Sequence, residues 1–194
     1  MPMYHQHNRE LQDAFGSRAL ADRLVERLHR DRFTEADAEQ IAACAFFFLA
    51  TADAEGRPDC SFKGGDPGFV RAVAPDLLVF PDYDGNGMFK SLGNMRANPH
   101  VGLLFLTIGE KPKRLRVNGR AVVVADDPLL AEFPGGQLLV RVTPTDIFPN
   151  CPRNIPELRL VQPSVYVPRP DAPRVEPAWK GFEIFRDVVP PRRA

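Results

Sequence analysis

Along the first part of the chain, Leu11, Phe15, Leu20, Leu24 and Leu28 recur mostly at three- and four-residue spacings with Arg and Glu between them. That period gives a helix one apolar face, and it predicts an amphipathic helix over 11–28, interrupted at Gly16. Thr34-Glu-Ala-Asp37 has the form of a capping box, with the Thr34 hydroxyl placed to accept an amide hydrogen bond and Asp37 to reach back. A second, shorter helix is therefore expected to run to about Cys44. From there the period changes. Ala45-Phe-Phe-Phe-Leu-Ala-Thr51 suits a buried strand, 53–58 supplies a turn, and a strand over 58–63 closes a hairpin. Further strands are predicted over 77–80, 101–107, 114–125, 138–148 and 159–167, each set off by Gly or Pro. One helix is expected among them, over 88–97, after Asp84-Gly-Asn-Gly87 and before Asn98-Pro99. The proline-rich stretch 163–177 should run extended on the surface, with a last short helix over 179–186. Many strands with few helices suggest a barrel.

Composition adds bounds. A chain of 194 residues with 44% hydrophobic residues can bury one core. The expected division is a helical segment over 1–44 packing on the barrel, the barrel over 45–167 and a C-terminal extension over 168–194. Lys plus Arg and Asp plus Glu number 25 each, so no overall field recruits nucleic acid or an anionic membrane. The start lacks the apolar stretch of a signal peptide, and the longest apolar run, 41–52, is too short to span a bilayer. Cys44, Cys60 and Cys151 form neither a CxxC pair nor a zinc spacing, and a reducing cytoplasm fits them best. His5 and His7 read as a disordered polar tail, and no metal is expected.

The chemistry gathers in three places. In 80–94 a strand enters a Gly-rich turn containing Asn86 and opens a helix with Lys90 and Ser91, where free amides, a cation and a hydroxyl suit a phosphate monoester. Neither a Walker loop nor a complete GxGxxG is present. In 114–119 the strand period puts Arg114, Arg116 and Asn118 on one face, and in 60–64 it separates Ser61 and Lys63 from Cys60 and Phe62. His100 and Cys60 carry no mark of a catalytic group, and none is assigned.

FLATADAEGRPD, SFKGG, LLVFPDYDGNGMFKSLGNMRANPHVGLLF and RLRVNGRA, in this order, resemble the pyridoxamine 5'-phosphate oxidase-like family of FMN-binding split barrels. The resemblance implies a mainly β, antiparallel split barrel and a homodimer holding two FMN molecules at its interface. It implies that Ser61, Phe62 and Lys63 run along the flavin. Lys90 and Ser91 in the helix start would bind its phosphate, with Asn86 in the preceding turn, and Arg114, Arg116 and Asn118 would face the ring or phosphate. Asn150 and Arg153 would reach it from the partner subunit. The activity implied is FMN-dependent oxidation or reduction of a small molecule, with NAD(P)H as donor or oxygen as acceptor. The terminal Asp187-Val-Val-Pro-Pro-Arg-Arg-Ala194 lacks the family's substrate-phosphate arginine stretch, so pyridoxamine phosphate is not the expected substrate. Alternatives are a non-catalytic flavin or haem binder, or a protein holding deazaflavin F420 in a basic groove of Lys63, Lys90, Arg114 and Arg116.

Overall fold

The computed structural model describes residues 3–190; the first two residues and the last four, including the end of the expected C-terminal extension, lie outside it. In chain order the elements are α1 (Gln6–Ala14), α2 (Arg18–Leu28), α3 (Glu35–Ala42), β1 (Phe46–Ala52), β2 (Pro58–Gly64), β3 (Arg71–Ala74) and β4 (Leu77–Tyr83). Then follow α4 (Lys90–Ala97), β5 (His100–Leu106), β6 (Arg114–Val124) and β7 (Gly136–Asn150), with 3-10 turns at Pro128–Glu132 and Ala178–Gly181. The strands pair antiparallel in one sheet of order β2-β1-β5-β6-β7-β4-β3.

Strict alternation decides which side of the sheet is inside. On β6 Leu115, Val117 and Ala121 are buried while Arg116, Asn118 and Arg120 are exposed. Phe47 of β1 meets Phe105 of the neighbouring β5 at 5.2 Å between ring centres, and also Phe80 of β4 at 5.0 Å. Because β4 lies four places from β1 in the sheet order, the second contact requires the sheet to roll upon itself. Each such fully buried Phe or Leu contributes about 1.5–3 kcal/mol. A bulge at Thr145, opposite Asn118 and Gly119, bends the long β7 against β6. The roll leaves an open side between β2 and β4, and the result is a split β-barrel.

Several expectations are met. The chain breaks between α1 and α2 at Gly16, which takes φ +63°. Asp37 N donates to Thr34 Oγ1 at 3.2 Å and Thr34 N to Asp37 Oδ2 at 2.9 Å, so the capping box forms, and Arg30 Nη2 grips both Asp37 oxygens.

Others are corrected. Instead of a disordered tail, His5 and His7 stand at the start of α1, where His5 N donates to Asn8 Oδ1. Leu11, Phe15, Leu20 and Leu24, the expected packing stripe, are exposed, and Ala21 is the one buried residue of the two helices. β3 was not legible, being only four residues long. The strand expected over 159–167 does not form: Leu158 makes one isolated bridge with Gly109 and the chain then runs irregularly, mostly exposed. The last helix shrinks to the 3-10 turn at Ala178–Gly181, followed by turns. The helix expected over 88–97 begins at Lys90, because Phe89 takes the left-handed conformation, φ 49°. Among the described residues no helix is long and apolar enough to cross a membrane.

Candidate functional site

Registers across the sheet define what each face offers. On the outer face, Phe62, Phe48, Leu104, Arg116 and Phe148 form one cross-strand row, and Arg114 stands opposite Asn150 in the next. Phe62 is 63% exposed and its ring stacks on Phe46 at 5.3 Å, with Phe48 edge-on at 6.1 Å. The Arg116 guanidinium lies 5.9 Å from the Phe148 ring centre. Arg114 Nη2 donates to the Cys151 carbonyl at 2.9 Å, while the buried Arg114 Nε and Asn150 Oδ1 have no partner. Asn118 is exposed one row further along. The outer face thus presents flat aromatic surface flanked by guanidinium and amide groups.

Ser61 and Lys63 point the other way. They stand opposite Leu49 and Phe47, whose side chains belong to the barrel core, and so they face its open side. There Lys63 Nζ lies 3.9 Å from Asp82 Oδ1 across the split. Burial pushes the Asp82 carboxyl above its ordinary range; the Lys63 charge opposes that and Asp84 adds to it. The double glycine after Lys63 has a steric cause: a Cβ on Gly64 would meet the Phe62 ring at 2.8 Å and one on Gly65 the Phe69 ring at 2.4 Å.

At the helix start, Lys90 is exposed and Ser91 buried, and the first-turn amides have no partner within the helix. The Asn86 side chain is turned into its own loop, accepting from Met88 N at 3.0 Å. α4 is held to β1 by Asn94 Nδ2, which donates to Thr51 Oγ1 at 3.0 Å. Arg153 is exposed in the chain after β7. His100, exposed, has its Nε2 3.3 Å from Arg120 Nη1, and Cys60 is exposed on the outer face.

The expected residues therefore form two groups rather than one. Phe62, Arg114, Arg116, Asn118 and Asn150 share the outer face, whereas Ser61 and Lys63 face the split, and the four cations expected in one basic groove do not share a face. Sequence reading missed Asp82 and the outer aromatics Phe46, Phe48 and Phe148. Alternation about the buried Phe47 signals the first two outer rings. Asp82 is found only once the sheet is rolled.

A split barrel with an aromatic, cation-flanked outer face and a polar opening defines the class of protein. The model for the pyridoxamine 5'-phosphate oxidase family matches residues 33–151. This is more than half of the chain and includes every strand, and the chain belongs to that family. No curated protein matches it. Similar solved structures include HupZ of Group A Streptococcus, with 15% identity and a TM-score of 0.48 over 60% of this chain and 93% of that one. The heme storage protein HutZ of Vibrio cholerae has 17% identity and a TM-score of 0.42 over 59% and 94%. An FMN-binding protein of Syntrophomonas wolfei subsp. wolfei has 12% identity and a TM-score of 0.43 over 77% and 99%.

Proposed function

We propose that this chain is an FMN-dependent oxidoreductase acting on a small molecule, with each flavin lying where the outer face of one protomer covers the split of a second copy. One observation carries the reading: the polar groups suited to a flavin lie on opposite faces of one sheet, so two chains are needed to bring both to one ligand. A twofold dimer makes two equivalent sites of this kind.

The residues present fit FMN. Its flat ring, with donors and acceptors along one edge, suits the Phe62 and Phe148 surfaces, the Arg116 fork and the two buried groups without partners, Arg114 Nε and Asn150 Oδ1. Its phosphate suits Lys63, Lys90 and the free amides that open α4. When bound, the flavin supplies the hydride or electron transfer, and the side chains around it orient the ring and shape the space beside it.

The test is the absorbance spectrum of the desalted protein, followed by FMN titration. Flavin bands and saturable binding are expected, and Lys90→Ala should weaken binding about tenfold or more, as loss of a charged hydrogen bond does. A colourless chain that also fails to take added FMN contradicts the proposal. Oxidation of NAD(P)H with several acceptors then separates an enzyme from a flavin carrier.

A further inference from the structure

The two lips of the split carry opposite charges. Lys63, near the end of β2, and Asp82, near the end of β4, meet across it, with side chains 22% and 12% exposed. Their 3.9 Å separation is too long for a hydrogen bond, so charge alone links them. Other partly buried pairs of this chain are built differently. Arg30 Nη2 reaches both Asp37 oxygens at 2.7 and 2.8 Å, and the Arg169 fork takes both Asp66 oxygens at 2.6 Å.

Lys63 is therefore held loosely enough to be given up. Asp82 is covered too well to lose that partner and remain ionised, because a buried charge without its counter-charge is strongly destabilising. Lys63 is the cation that favours its charged form, while burial and Asp84 oppose it. The neighbouring groups supply no replacement. On β7 Leu138 stands opposite Asp82, with Leu139 and Gly136 on either side, and the adjacent Tyr83 phenol is itself pushed up by burial. Lys180 is engaged by Asp84 at 2.5 Å, and Arg169 by Asp66.

We propose that Asp82 is a positioning residue for Lys63: in the empty split its carboxylate holds the amine between the lips, and when Lys63 turns to the phosphate of FMN the Asp82 carboxyl takes up a proton from solvent. The proposal rests on the FMN reading. By linkage, FMN affinity then falls as pH rises through the range in which Asp82 loses its proton. A neutral residue in its place removes that dependence.

The test is FMN titration of the full chain, followed by flavin fluorescence, for wild type, Asp82→Asn and Asp82→Ser between about pH 4 and 8 at fixed salt. The FMN phosphate titrates near about pH 6, but it does so for every variant, so the ratio of affinities isolates Asp82. Both variants should match wild type at the acid end and bind about tenfold more tightly at the alkaline end, as expected when a charged partner no longer competes for Lys63. Calorimetry in buffers of different ionisation heat should show wild type taking up more protons on binding than either variant. A ratio that does not change with pH, or variants weaker by one factor throughout, overturns the proposal and leaves the FMN reading standing. A wild-type chain that takes no FMN at any pH overturns both.

Discussion

Lys63 and Arg116 point to opposite sides of the same sheet. Lys63 stands opposite Phe47, whose ring is in the barrel core, while Arg116 stands opposite Leu104 and Phe148 on the outside. A ligand contacting both groups within one chain would have to pass around the edge strand β2. Two copies placed outer face against split remove that difficulty, and they also cover Phe62, which otherwise leaves most of a phenyl ring in water.

Opposite the bulge on β7, strand β6 has no room for a side chain at Gly119. A Cβ on Gly119 would lie 2.4 Å from the Thr143 carbonyl oxygen and 2.9 Å from Val142 Cγ1. Backbone on β7 cannot yield as a flexible side chain can, so Gly119→Ala should destabilise the fold by about 1–3 kcal/mol. Urea unfolding measures this; an unchanged midpoint contradicts it.

Asp82 should give stability a pH dependence of defined sign. Burial raises its pKa in the folded chain, with Lys63 opposing the rise, so folding favours the protonated form. That contribution is complete below the unfolded carboxylate pKa and is lost as pH climbs through the raised folded value. Asp82→Asn stays neutral, so its stability relative to the parent should grow with pH and then level off. Unfolding between about pH 4 and 7 measures the gap. Parallel profiles would contradict it.

The three thiols should react unequally. Cys44 is 2% exposed, its Sγ is 3.2 Å from the Gln40 carbonyl, and burial pushes its pKa up to about 11. Cys151 is exposed. Only a thiolate attacks a disulfide reagent, so Cys151 should label in the native protein and Cys44 only after unfolding. Labelling of both at similar native rates would refute this.

The C-terminal extension is tied down by charge. Arg169 Nε and Nη2 each lie 2.6 Å from an Asp66 oxygen, and Lys180 Nζ lies 2.5 Å from Asp84 Oδ2. Such partly exposed pairs weaken with salt. Cleavage after β7 in limited proteolysis should therefore quicken at high salt and in Arg169→Ala with Lys180→Ala. Rates indifferent to both would mean that apolar packing holds the extension.

Most of the barrel is legible in the sequence because β1, β5, β6 and β7 are long alternating or apolar runs whose period survives folding. Thr34 and Asp37 show their helix start for the same reason: a cap is a local interaction. What escaped is non-local. β3 is too short to display a period, and 159–167 has the apolar residues of a strand but pairs with no strand, the chain's one nearby bridge being Leu158 with Gly109. For the site, the period correctly grouped Arg114, Arg116 and Asn118 and separated Ser61 and Lys63 from Phe62. It could not relate one strand's faces to another's, which needs the register, nor find Asp82 beside Lys63, which needs the roll.

The most direct measurement mixes two defective chains. Lys63→Ala and Arg116→Ala should each weaken FMN binding about tenfold or more. If each flavin takes Lys63 from one chain and Arg116 from the other, a mixed dimer rebuilds one intact site. Unfolding and refolding the two variants together should then restore tight FMN binding at about a quarter of the wild-type number of sites, as random pairing requires. Recovery at that level is the result the two-chain site predicts; a mixture that binds FMN no better than either variant alone would contradict it.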